Sequence, residues 1–147
     1  MGEVHSSAWP DVPGVIRIHH VGIVVRDAGA AAEMCERVLG LEPVALEDYR
    51  ETALVAFLSA GETLLELIQP LTEGTLWSDA LRDRGEGIHH VALEVIDLRA
   101  AIAALEASGV GALTSRPQRA PGDTLSVFLD PAATGGTLIE LVQQIRA

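Results

Sequence analysis

Eight short apolar runs, separated by glycine, proline or polar clusters, alternate along the chain with three segments of helical pattern. Arg17 to Val25 opens the series as a strand, with His20, Gly22 and Val24 on one face and His19, Val21 and Ile23 on the other. Asp27 precedes an Ala-rich helix, Ala28 to Leu39, that stops at Gly40. Strands are predicted over Leu41 to Leu46, Ala53 to Leu58 and Thr63 to Gln69, and the polar stretch Glu47 to Thr52 reads as a solvated connection. Leu76 to Arg84 then forms a short linking helix. Ile88 to Val95, the helix Leu98 to Ser108, and strands at Val110 to Ser115, Leu125 to Leu129 and Thr137 to Gln143 complete the chain.

The pattern repeats. Ile18-His19-His20-Val21 returns as Ile88-His89-His90-Val91 seventy residues later, followed in both places by an apolar run, an aspartate and a helix ending near a glycine. Each half reads as strand, helix, strand, strand, strand, which predicts two copies of one supersecondary unit. Each copy also ends in an apolar strand with a glutamate at its centre: Glu66 in Leu64 to Ile68, and Glu140 in Leu138 to Val142.

A carboxylate inside such a run costs roughly several kcal/mol to bury unless a cation or hydrogen bonds compensate it. One glutamate alone is explained by a strand with a wet face. Two glutamates and two histidines at equivalent points of a repeat point instead to a divalent metal held between the halves, with only one histidine of each pair facing the centre. Two imidazoles and two carboxylates suit zinc, cobalt, manganese, nickel or iron.

Composition narrows the chemistry. The net charge is −11, every one of the ten basic residues is arginine, and there is no lysine. Lysine Schiff-base chemistry is therefore excluded, and the acidic balance argues against general nucleic-acid binding. No apolar run approaches the roughly 20 residues of a membrane span, and no signal peptide is visible, so a cytoplasmic protein is expected. The lone Cys35 lies in the first helical segment and reads as a core thiol. Residues 1 to 15 read as a poorly ordered leader. Residues 16–147 form one expected domain: a first module over about 16–71, a linker helix over about 75–84 and a second module over about 86–145.

The stretches His20 to Val25, Leu39-Gly40-Leu41-Glu42, Gly61 to Leu67, Arg84 to Val91 and Thr134 to Leu141 resemble the vicinal-oxygen-chelate (glyoxalase/dioxygenase-like) superfamily and, within it, the methylmalonyl-CoA epimerases. The resemblance covers about residues 17 to 144. It implies an α+β fold in which two tandem βαβββ modules form a curved sheet around a metal-binding cleft. It implies His20, Glu66, His90 and Glu140 as ligands of a divalent metal ion, and makes His19 and His89 structural.

The implied activity is inversion of the carbon between a thioester and a carboxylate through a metal-stabilised enolate, with a base on each face. The implied substrate is an acyl-CoA, methylmalonyl-CoA or a related 2-substituted malonyl-CoA, and the implied assembly is a homodimer. Glu140 is the implied base on one face. The second falls at Glu51 by the count from Gly40, with Glu47 as a substitute. Two departures from the family pattern stand out: a shortened turn at Arg50 to Ala53, and a loop, Arg119 to Asp123, that lacks the family's histidine near Ala120-Pro121. Alternatives are a glyoxalase-type isomerase, another metal-enolate enzyme of the superfamily acting on a different acyl substrate, or a non-catalytic small-molecule binder.

Overall fold

The computed structural model describes residues 14–113 and 116–145. Most of the expected leader lies outside them, as do Thr114 and Ser115 at the end of one expected strand. The first half runs β1 (Val15–Val24), α1 (Ala28–Leu39), β2 (Glu42–Tyr49), β3 (Ala53–Ala60) and β4 (Thr63–Pro70). Helix α2 (Leu76–Arg84) leads into β5 (Gly87–Val95), α3 (Leu98–Ala107), β6 (Gln118–Ala120), β7 (Thr124–Phe128) and β8 (Ile139–Gln144).

All eight strands form one mixed sheet, in the order β2-β3-β4-β1-β5-β8-β7-β6. It curls into a half-barrel. At its centre β1 and β5 pair antiparallel, and outward from them β1 pairs with β4 and β5 with β8 in parallel. The order reads the same outward from the centre in both directions, as a repeated βαβββ unit requires.

Helices α1 and α3 are fixed at their starts by the same devices. Asp27 accepts from the Ala30 N–H and Asp97 from the Ala100 N–H, as N-caps do. Gln69 of β4 accepts from the Ala28 N–H at 2.9 Å, and Gln143 of β8 from the Leu98 N–H at 2.8 Å. Each glutamine lies three residues beyond the glutamate of its strand, so the strand that carries the carboxylate is tied to its own helix. These two helices cover the convex face. Cys35 of α1 packs there with Ala56, Leu58 and Leu67, and Leu98, Ala101 and Leu105 of α3 with Val127 and Leu141.

Two expectations change. The stretch Glu47 to Thr52 is not a loop: Glu47, Asp48 and Tyr49 continue β2, and the reversal is confined to Arg50-Glu51-Thr52, with φ of 53° at Arg50 and 60° at Glu51. Polar residues disguised a strand whose Glu47 and Tyr49 pair with Val55 and Ala53. Among the described residues, the expected strand from Val110 shows a single bridge between Ala112 and Leu129, while the short strand β6 forms further on. Here the chain stays tied to the end of α3, with the Val110 N–H bonded to the Leu105 carbonyl at 2.9 Å.

The outermost strands meet across the mouth of the half-barrel. Tyr49 of β2 donates its hydroxyl hydrogen to the Arg119 carbonyl of β6, and the Gly122 N–H donates to Glu47 at 3.1 Å.

Candidate metal centre

His20 on β1, Glu66 on β4, His90 on β5 and Glu140 on β8 come from the four central strands. Pairing places them together: His20 stands opposite Leu64 and Ala92, Glu66 opposite Gly22 and Phe57, and Glu140 opposite Ala92 and Phe128. The side chains converge on the concave face and are almost wholly buried, each residue at 4% exposure or less. His20 Nε2 is 3.1 Å from Glu66 Oε2, 3.1 Å from Glu140 Oε1 and 3.0 Å from His90 Nε2. Donor atoms of His20, His90 and Glu140 lie within 4.8 Å of one another, and Glu66 joins the group through His20.

These contacts are not ion pairs. Burial lowers the His20 pKa to about 4 and the His90 pKa to about 3, so both rings are neutral at pH 7. Burial raises the Glu66 carboxyl well above the ordinary range, and the negative charges of Glu140 and Glu47 raise it further. Glu140 is also raised by burial, against the opposing pull of His90, a hydrogen bond from Ser126, and His19. Glu66 Oε2 and Glu140 Oε1 are buried with no hydrogen-bond partner. Two orphaned carboxylate oxygens beside two imidazole nitrogens fit a divalent cation, which would hold both carboxylates ionised. The 3.0 to 3.1 Å contacts around His20 Nε2 match the spacing expected of ligands about 2.0 to 2.2 Å from one ion.

The approach of the two halves needs Gly22. A Cβ added there would stand 2.2 Å from Cε1 of His90, so the imidazole lies directly against the glycine backbone.

The period-two reading of His19 and His89 fails, and for one reason in both halves. Between Ile18 and His20 the β1–β5 register slips so that His19 is an extra residue, and on β5 the slip between His90 and Ile88 makes His89 the extra one. Each is a β-bulge. Bulging turns each ring onto its neighbour: His19 Nδ1 lies 2.8 Å from His20 Nδ1, and His89 Nδ1 2.8 Å from His90 Nδ1. The doubled histidine, identical in both copies, was the available signal.

Above the four donors lies a cavity of about 130 Å³ whose other walls include Tyr49, Trp77, Arg119, Ser126 and Phe128. The Trp77 indole N–H is buried there without an acceptor. Glu51 is not brought to this cavity. It is exposed at the β2–β3 turn, where its N–H is held by Asp48 at 3.0 Å. Glu47 sits on the concave side of β2, lines an adjoining cavity with His19 and Phe57, and acts electrostatically on Glu66. Alternation along Ala45, Glu47 and Tyr49 was the signal for it.

Residues 19–128 match the family model described as the glyoxalase/bleomycin resistance protein/dioxygenase superfamily. The chain is 35% identical over 130 residues to the ethylmalonyl-CoA/methylmalonyl-CoA epimerase of Cereibacter sphaeroides, covering 86% of this chain and 97% of that protein. Its fold matches the crystal structure of methylmalonyl-CoA epimerase from Mycobacterium tuberculosis with a TM-score of 0.86 at 31% identity, covering 91% of each chain. A variant of the Streptomyces coelicolor methylmalonyl-CoA epimerase in complex with 2-nitronate-propionyl-CoA matches with a TM-score of 0.85 at 29% identity, over 90% of this chain and all of that one. This chain belongs to the glyoxalase/bleomycin resistance protein/dioxygenase superfamily.

Proposed function

We propose that this member of the superfamily is a metal-dependent epimerase of methylmalonyl-CoA or a related 2-substituted malonyl-CoA. The observation that carries the reading is the pair of buried, unpartnered carboxylate oxygens, Glu66 Oε2 and Glu140 Oε1, beside His20 and His90. Relatives named as epimerases supply the substrate class. On this reading residues 16–147 act as one unit in which each half contributes one imidazole and one carboxylate.

His20, Glu66, His90 and Glu140 would hold the cation, which supplies Lewis acidity toward the substrate's carboxylate and thioester oxygens. Glu140 accepts the α-proton on one face, and inversion is completed when a proton is delivered to the carbon from the opposite face. Its hydrogen bond from Ser126 and its nearness to His90 favour the ionised form that a base needs. Glu47 serves the opposite face, in place of the exposed Glu51. The unpartnered Trp77 N–H and the Arg119 side chain line the cavity as donors for the anionic end of the substrate. A cavity of about 130 Å³ takes an acyl fragment rather than a nucleotide. The CoA portion therefore lies outside it.

The protein is further read as a homodimer. Met34, Val38, Val44 and Leu46 are exposed apolar side chains of α1 and β2 that a second copy would cover.

Deuterium wash-in at the α-carbon of methylmalonyl-CoA in heavy water, with cobalt or manganese added, tests the activity. Exchange accompanied by inversion is expected, lost in Glu140→Ala and in Glu47→Gln but kept in Glu51→Ala. Absence of exchange in the metal-loaded wild type would overturn the reading.

A further inference from the structure

Neighbouring residues of a regular strand point to opposite faces, yet His19 touches His20 ring to ring and His89 touches His90. In each pair the two Nδ1 atoms are 2.8 Å apart. Nitrogens at that distance share one hydrogen. A neutral imidazole has one donor nitrogen and one acceptor. Which ring owns the shared hydrogen then fixes the tautomer of both.

On the metal reading the lone pair of His90 Nε2 points at the common centre, where this atom faces His20 Nε2 at 3.0 Å and Glu140 Oε1 at 3.7 Å. The one hydrogen of the neutral ring then lies on Nδ1, and His89 Nδ1, 2.8 Å away, accepts it.

In the first half His20 Nε2 lies 3.1 Å from Glu66 Oε2 and from Glu140 Oε1, two oxygens with no hydrogen-bond partner, and on the metal reading its lone pair is turned to the same centre. The hydrogen therefore belongs on His20 Nδ1, with His19 Nδ1 as its acceptor.

We propose that His19 and His89 are positioning residues: each accepts the Nδ1–H of the next histidine and so fixes the Nε2 lone pairs of His20 and His90 on the common centre. The proposal rests on the metal reading above. It also gives both bulges a purpose, since each sacrifices regular pairing to turn an acceptor onto its neighbour. Metal-bound histidines usually give this hydrogen to a carboxylate or a carbonyl. A neutral imidazole does the same without a further negative charge beside two buried carboxylates.

The test has two readouts. Nitrogen-15 NMR of the histidine rings in zinc-loaded wild-type protein is expected to show His20 and His90 as Nδ1–H tautomers and His19 and His89 as Nε2–H. Chelator competition with manganese and cobalt is expected to show His89→Phe binding roughly 10- to 100-fold more weakly than wild type, as loss of such a partner does elsewhere. His89→Asn, which offers an acceptor near the lost Nδ1, is expected to recover most of that affinity. Nδ1–H tautomers at His19 and His89, or a folded His89→Phe with wild-type affinity, would overturn the proposal while leaving the metal reading intact. Failure of the wild type to bind either metal would instead overturn the metal reading, and with it the role given to the paired rings.

Discussion

Glu66 and Glu140 occupy equivalent places in the two halves, each opposite a phenylalanine, Phe57 or Phe128. Two residues before each phenylalanine the halves part: Val55 stands on β3 where Ser126 stands on β7. Glu140 receives a hydrogen bond from Ser126 and the favourable influence of His90, whereas Glu66 has no such help and feels the charges of Glu140 and Glu47. The histidines differ too. His90 rests on the bare backbone of Gly22, while His20 stands opposite Ala92. Duplication thus accounts for the convergence of the four side chains, and the later divergence puts the two carboxylates in different environments; on the proposed function, one is suited to proton transfer and its twin to holding the ion.

The sharpest way to break this comparison is at Gly22. Gly22→Ala places a methyl 2.2 Å from His90 Cε1 and is expected to push the ring off the centre. Metal affinity should fall by about 100-fold, at the upper end of the range for a disturbed ligand shell, and α-proton exchange should be lost. The reciprocal change, Ala92→Gly, should cost about 1 kcal/mol of stability and keep the activity. Thermal melting and metal titration of the two variants read the contrast directly.

Exchanging the carboxylates for amides comes next. Glu140→Gln removes a base as well as a ligand and is expected to lower the exchange rate by about 10²- to 10⁴-fold even at saturating metal. Glu66→Gln should weaken metal binding and recover most of its rate when metal is raised. Deuterium exchange as a function of manganese concentration separates the two.

Smaller effects come from the walls. Ser126→Val gives the second half the apolar neighbour of the first. Losing the hydrogen bond that lowers Glu140 raises its pKa, so the ascending limb of the rate against pH moves to higher pH, with a several-fold loss at pH 7 and little change on the alkaline plateau. A pH profile of exchange checks the sign.

A separate change is expected in the stability of the metal-free protein between about pH 6.5 and 4.5. His19, His20, His89 and His90 all have pKa values lowered by burial, so unfolding takes up protons on four rings. Glu66 and Glu140 are raised and surrender protons on unfolding. Four sites against two leave a net uptake, so stability falls as the pH is lowered. Urea unfolding at several pH values measures the slope.

Much of this was written in the sequence, because period and repetition survive without coordinates. Helix α1 and helix α2 occur at the positions their patterns predict, and the repeated Ile-His-His-Val announced both halves. The bulges did not show, since a period-two count has no way to skip a residue. Glu47 was named only as a substitute base, and its place on a strand was hidden for a different reason: three acids and an arginine resemble a solvated loop, and only pairing with β3 shows that alternate residues of this stretch face inward. The base expected at Glu51 depended on counting across a shortened turn. A slip there moves a side chain from the cleft to the tip of a hairpin, which is where Glu51 stands.

The central claim is that the two halves build one metal site between them rather than one each or none. Metal content after loading with manganese or cobalt and removal of excess ion tests it most directly. One ion per chain is expected, falling toward zero in His20→Ala and equally in His90→Ala. Two ions per chain, or a single ion that survives loss of either histidine, would contradict it.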